Sequence, residues 1–263
     1  AQDERAQAHA EFRRLFDAGD YAAAVEQGRE VVELTGRQGA GHDEEMQVAL
    51  MNLALAQQRA GDYVAAETGF QRVIELIEAS GRLTSPRLAR AYAGLGETYH
   101  AARRFDLAAT SLERAIALSR RAEGLFNEDQ LPLLEKQADA LTEIGRVEDA
   151  LLAHRYALRI VGRHEGERSL AFARQIESIG RWYTRVRSFE AARATLRGAA
   201  GLAESIAGPA ATALVGPLTG IADNARRWLT DPVIRELGSA DDQRGSIFHD
   251  ATMPAPPRYP TCA

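Results

Sequence analysis

The stretch MNLALAQQRAGDYVAAETGFQRVIEL, Met51 to Leu76, decides the fold. It is an almost unbroken run of helix formers, interrupted by Gly61-Asp62-Tyr63. Before the turn, Leu50, Leu53, Ala54 and Gln57 fall at the i, i+3, i+4, i+7 spacing that gathers residues on one helix face. After it, Ala66, Phe70 and Val73 give a small-large-small series on one face of a second helix. The reading is an amphipathic helical hairpin. Whether it stands alone or repeats decides the rest.

It repeats. Gly19-Asp20-Tyr21 precedes AAAVEQGREVVEL, Arg103-Arg104-Phe105 precedes DLAATSLERAIAL, Gly145-Arg146-Val147 precedes EDALLAHRYALRI, and Arg187-Ser188-Phe189 precedes EAARATLRGAAGL. The first turn residues are 19, 61, 103, 145 and 187, a constant step of 42 residues. Five copies in one register, without insertion or deletion, mark a repeat architecture. Ala24, Ala66, Ala108, Ala150 and Ala192 stand three positions after the last turn residue in every copy. Val31, Val73, Ala115, Ala157 and Ala199 follow seven residues later. In the first helices, Ala54, Gly96 and Gly180 are small where the partner helix must come close.

The small-large-small pattern and the G-x-[YF] turn resemble the tetratricopeptide repeat. The 42-residue period, with Asn52-Leu53-Ala54 and Ala66-Glu67, resembles its kinesin-light-chain type. The resemblance covers about residues 5–205. It implies an all-α, right-handed α-solenoid of five helix pairs, at about 5–38, 47–80, 89–122, 131–164 and 173–206. Between units, Gly with Asn, Ser or Asp reads as helix stop and start, and Pro86 and Pro132 sit where a first helical turn tolerates them. After the fifth unit the register fades. Residues 207–238 are expected to form a capping helix region, because stacked repeats need a terminal cap. Residues 239–263 hold Pro254, Pro256, Pro257 and Pro260 and are expected to be an extended or disordered tail. Pro257, Tyr259, Pro260 and Ala263 resemble the opening of a TonB C-terminal domain, which would make the chain part of a cell-envelope assembly.

Composition narrows the function. The chain has 263 residues, 45% hydrophobic and 26% charged, with a net charge of -5. Of its 32 basic residues only Lys136 is lysine. No broad basic field invites nucleic acid or anionic lipid, and no apolar run reaches the roughly 20 residues of a membrane span. The start, Ala1-Gln2-Asp3-Glu4, has the form of a mature N-terminus after signal cleavage. A periplasmic or other extracytoplasmic location is expected, with a cytoplasmic one as the alternative.

Catalytic and metal patterns are not found. Six His are scattered without an i, i+4 pair, and Cys262 has no base near it. His154 reads as a packing histidine. The GHDEE run at 41–45 reads as a loop and an acidic first helical turn. No enzyme activity, cofactor or metal is expected.

The resemblance implies that the first helix of each pair lines a concave groove for a protein or peptide ligand. It places Arg13 in the first unit and Met51, Asn52, Leu55 and Arg59 in the second. Arg90, Glu97 and His100 follow in the third, Glu135 and Asp139 in the fourth, and Arg174 and Arg181 in the fifth. His9, Phe16, Val48, Gln58, Glu143, Glu177 and Arg185 belong to the same face. An Asn at the place of Asn52 holds a peptide backbone amide in related grooves; a hydrogen bond to a neighbouring helix is the other reading. The clamp that grips chaperone tails in some relatives would use the places of His9, Arg13, Asn52, Arg90 and Gly94. Only Asn52 matches, with Arg90 charge-equivalent, which argues against such a ligand. Acidic Glu135, Asp139 and Glu143 face basic Arg174, Arg181 and Arg185 in the next unit, so these either pair with each other or form a bipolar site. A structural arm or a self-associating module are the alternatives to a binding scaffold. The oligomeric state is left open.

Overall fold

The computed structural model describes residues 2–37 and 43–208. The proposed cap at 207–238, save its first two residues, and the tail at 239–263 with its TonB-like segment lie outside the described residues. So do Gly41 and His42 of the GHDEE run; Asp43, Glu44 and Glu45 form the acidic first turn of a helix.

The described chain is ten α-helices in five consecutive pairs: α1 (Gln2–Asp17) with α2 (Tyr21–Gly36), α3 (Asp43–Arg59) with α4 (Tyr63–Ala79), α5 (Pro86–Ala101) with α6 (Phe105–Glu123), α7 (Leu131–Glu143) with α8 (Val147–His164), and α9 (Leu170–Arg185) with α10 (Phe189–Ala207). Each helix packs on the next, and α3 also touches α5, as α5 touches α7, so first helices of neighbouring units meet. A short 3-10 turn, Glu128–Gln130, leads into α7.

All five turns have the same backbone. Gly19, Gly61 and Gly145 have φ of +79°, +85° and +78°, and Arg103 and Arg187 take +59° and +63° at the same place. Each ends its helix with one pair of hydrogen bonds, such as Gly61 N to Gln58 O at 3.1 Å and Asp62 N to Gln57 O at 2.9 Å. This is the double-bonded left-handed helix stop that satisfies the last carbonyls. The next helix is capped where the sequence has a capping side chain: Asp20 accepts from Ala23 N and Asp62 from Ala65 N. Ser85 caps the start of α5 and Ser169 that of α9, each accepting from the first helical turn.

The small-large-small positions are the core. Ala24, Ala66, Ala108, Ala150 and Ala192 are all fully buried, as are Phe70, Leu112 and Leu196 between them and the next small residue. The small residues of the first helices have the expected steric reason. A Cβ on Gly96 or Gly180 would lie 2.7 Å from Leu112 or Leu196 of the partner helix. One on Gly69 would lie 2.8 Å from Ala54. His154 is buried as expected, and its ring lies tilted against Trp182 with centroids 5.1 Å apart.

Candidate binding surface

The twelve candidate residues all fall on first helices. Arg13 is exposed on α1; Met51, Asn52 and Leu55 are half-buried on α3, with Arg59 exposed at its end. On α5, Arg90 is exposed while Glu97 and His100 are half-buried. Glu135 on α7 is exposed and Asp139 half-buried; Arg174 and Arg181 on α9 are exposed.

Their surroundings separate them. Met51 and Leu55 pack their inner edges on the main core, which also includes Ala54 and Phe70. Asn52 has no hydrogen-bond partner among the described residues, so the expected alternative, a bond to a neighbouring helix, does not form. Val48, one turn earlier on α3, is 39% exposed. Arg13, Arg59, Arg90, Glu135 and Arg174 carry no ion pair among the described residues.

Other candidates are occupied. Glu97 accepts from Lys136 of α7 at 2.5 Å. Asp139 is bound by Arg185 of α9 at 2.8 Å, so among the described residues the acidic-to-basic pairing across units forms at this one place. Arg181 instead pairs within its own helix, 3.4 Å from the buried Glu177. Such partly exposed pairs contribute only ~0–1 kcal/mol each.

One placement corrects the reading of the groove. Gln58 does not face a ligand. It is buried, and its amide donates 2.8 Å to Thr98 Oγ1 and 3.1 Å to Gly94 O of the next first helix. Gly94, a clamp place that did not match, is set by packing: a Cβ there would lie 2.4 Å from the Phe70 ring. Gln58 lies within reach of a first helix from the neighbouring unit, and a buried amide needs a partner.

Sequence reasoning missed the polar contacts between first helices. Gln58 and Thr142 occupy equivalent places and bond to Thr98 and Trp182, which are equivalent in turn. At the junction between them the equivalent places hold His100 and Ala140, and His100 Nε2 is buried without a partner. Across the 42-residue register, polar residues recur at this place, as Gln58, His100 and Thr142. The ring of His100 meets Phe105 edge-on at 5.4 Å. His9, on α1, stacks on Phe12, and burial first, then Arg13 and Arg5, holds its imidazole below the usual histidine range. Tyr99 is pushed up by burial and by its hydrogen bond to Glu67.

Among the described residues, no group of three or more His, Cys, Asp or Glu could hold a metal ion, and no helix is long and apolar enough to cross a membrane.

The tetratricopeptide-repeat family model matches residues 45–121, the second and third helix pairs. The chain carries tetratricopeptide repeats. No curated protein matches the sequence. Among solved structures, the nearly identical TPR-like repeats of a protein described as a kinesin light chain from Podosopora anserina are 18% identical, with a TM-score of 0.66 over 76% of this chain and 94% of that one. BtubC (BKLC) from P. vanneervenii is 17% identical, with a TM-score of 0.55 over 96% of this chain and 97% of that one. The apo form of RapI is 10% identical, with a TM-score of 0.56 over 87% and 85%. At these identities the likeness is one of fold. Tetratricopeptide repeats are a protein-interaction scaffold, and the helix pairs match those of kinesin-light-chain-like repeats.

Proposed function

We propose that the row of first helices is a non-catalytic groove that captures a segment of a partner protein. The observation that carries this reading is Asn52, half-buried on α3 with an amide that no described residue binds. A side-chain amide has one acceptor and two donor positions, the complement of a peptide backbone unit. Met51 and Leu55 stand beside it, anchored on the core and partly open to solvent. A flexible thioether and a branched aliphatic chain make an adaptable apolar floor. Arg13, Arg59 and Arg90, unpaired on three successive first helices, add a basic rim. Peptide capture of this kind uses backbone hydrogen bonds for affinity and side-chain contacts for choice.

The experiment is a pull-down from the native extract with the wild-type chain and with Asn52→Ala, followed by affinity measurement on the segment recovered. Asn52→Ala should weaken binding while leaving the melting temperature nearly unchanged, because the amide holds nothing inside the fold. Equal affinity in the variant would sink the role given to Asn52.

A further inference from the structure

Away from the first helices, α6, α8 and the connector that leads from α6 into α7 build a different surface. Phe126 of the connector and Tyr156 of α8 lie with ring centroids 6.5 Å apart. Three guanidiniums stand on these two rings. Arg120 Cζ is 4.1 Å from the Tyr156 centroid and Arg159 Cζ is 5.3 Å from it. Arg163 Cζ is 5.3 Å from the Phe126 centroid. The platform is fixed from below. The Tyr156 hydroxyl donates to the Leu125 carbonyl and accepts from Arg120 Nε at 3.0 Å. Gln130, fully buried, donates to the Gly124 carbonyl at 2.9 Å and holds the connector in place.

A guanidinium lying on a ring spends its flat face on the aromatic and keeps its N–H edge for another partner. None of Arg120, Arg159 and Arg163 has an ion pair with a carboxylate among the described residues. Arg13, Arg59, Arg90 and Arg174 also lack one among the described residues, so it is the pair of rings that sets this cluster apart. Position at the end of a helix explains part of the cluster: Arg120 and Arg163 stand in the last turns of α6 and α8, where the carbonyl ends favour a cation. It does not explain Arg159, one turn earlier, or the gathering of three guanidiniums on two touching rings.

We propose that this platform is a second binding site, one that takes a short carboxylate-rich segment of a partner protein. Carboxylates match the planar fork of arginine with two parallel hydrogen bonds. The chain as a whole is acidic, with a net charge of -5. A long polyanion or an anionic membrane would meet the acidic remainder of the surface, whereas a short segment senses only charges within about a Debye length, ~8 Å at physiological salt. The site lies on second helices and a connector, so it stands independently of the groove.

The test is fluorescence anisotropy with a labelled oligo-glutamate peptide. The wild-type chain should bind it, more weakly as salt rises. Arg159→Gln with Arg163→Gln should weaken binding about tenfold, a change of ~1.4 kcal/mol. Both side chains are exposed, so the melting temperature should hold. Arg159→Lys with Arg163→Lys keeps the charge and loses the stacked fork, and should weaken binding severalfold. Asn52→Ala should leave it unchanged. Phosphatidylserine vesicles and a single-stranded oligonucleotide run in parallel should bind more weakly than the peptide. No binding by the wild type, or equal binding by the Gln variant, would overturn the proposal. So would tighter, Arg159- and Arg163-dependent binding of vesicles or oligonucleotide. Equal binding by the Lys variant would overturn the stacked-fork recognition on which it is built.

Discussion

Trp182 donates its indole N–H to the hydroxyl of Thr142 at 2.8 Å, and this bond joins the first helices of the fourth and fifth units. The same hydroxyl donates to the Ala138 carbonyl at 2.7 Å, so its one proton is committed and its lone pairs face the indole. Trp182 is only 5% exposed. Thr142→Val keeps the shape and removes the oxygen, leaving a buried N–H unmade at a cost of about 1–3 kcal/mol. Thr142→Ser should remain close to wild type. Urea unfolding followed by circular dichroism separates the two, and a Val variant as stable as the wild type would show that the bond contributes nothing net.

The repeat turns carry a second expectation. Gly61 has φ of +85°, and a Cβ there would meet no atom within 4 Å. Gly61→Ala therefore tests backbone conformation alone. A left-handed residue with a Cβ costs roughly 1–2 kcal/mol, partly offset by the stiffer unfolded chain. The net loss should be about 1 kcal/mol. Arg103 and Arg187 occupy the same backbone basin, so the fold tolerates this cost at two of its five turns. An unchanged midpoint for Gly61→Ala would refute this account.

The turns and the small-large-small positions were legible because they depend on local chemistry: a left-handed stop, a side chain too large for a tight crossing. That is why the 42-residue register named Ala66, Phe70 and Val73 as core before any contact was known. Gln58 was not legible. Its place on α3 matched the groove face, but groove and inter-unit contact are adjacent stripes of one helix, and the helix crossing decides which side chain enters which. The same holds for Asp139 and Arg181. Charge complementarity said that they could pair across units, but only geometry gave Asp139 to Arg185 and turned Arg181 back to Glu177. The Arg120–Tyr156–Gln130 network involves a connector, where no repeat register exists to guide the eye.

Gly94 and Phe70 test close packing between units. A Cβ on Gly94 would lie 2.4 Å from two atoms of the Phe70 ring, and Phe70 is only 2% exposed. Gly94→Ala should destabilise by about 1–3 kcal/mol through overpacking, despite the better helix propensity of alanine. Phe70→Leu alone should also destabilise, because it leaves a cavity. Combined, the two should cost less than their sum, since the smaller side chain makes room for the new methyl. Additive losses in a double-mutant cycle would show that the strain is relieved elsewhere.

His154 gives the fold a pH dependence with a definite sign. Burial, chiefly, pushes its imidazole down to about 4, with Asp139 opposing and Arg185 adding to the effect. Its Nε2 is buried without a hydrogen-bond partner, and its ring lies against Trp182. The folded protein thus holds this side chain neutral where the unfolded chain, with an ordinary histidine near 6.5, has already taken up a proton. Its contribution is complete above about pH 6.5 and is lost as the pH falls towards 4. At ~1.4 kcal/mol per pH unit, the loss by pH 4 amounts to about 3 kcal/mol. Unfolding in urea at a series of pH values should show this decline. His154→Phe, which keeps a ring against Trp182 and cannot protonate, should flatten it between pH 6.5 and 4.5, whatever its stability at neutral pH. An equally steep decline in the variant would assign the acid sensitivity to the carboxylates.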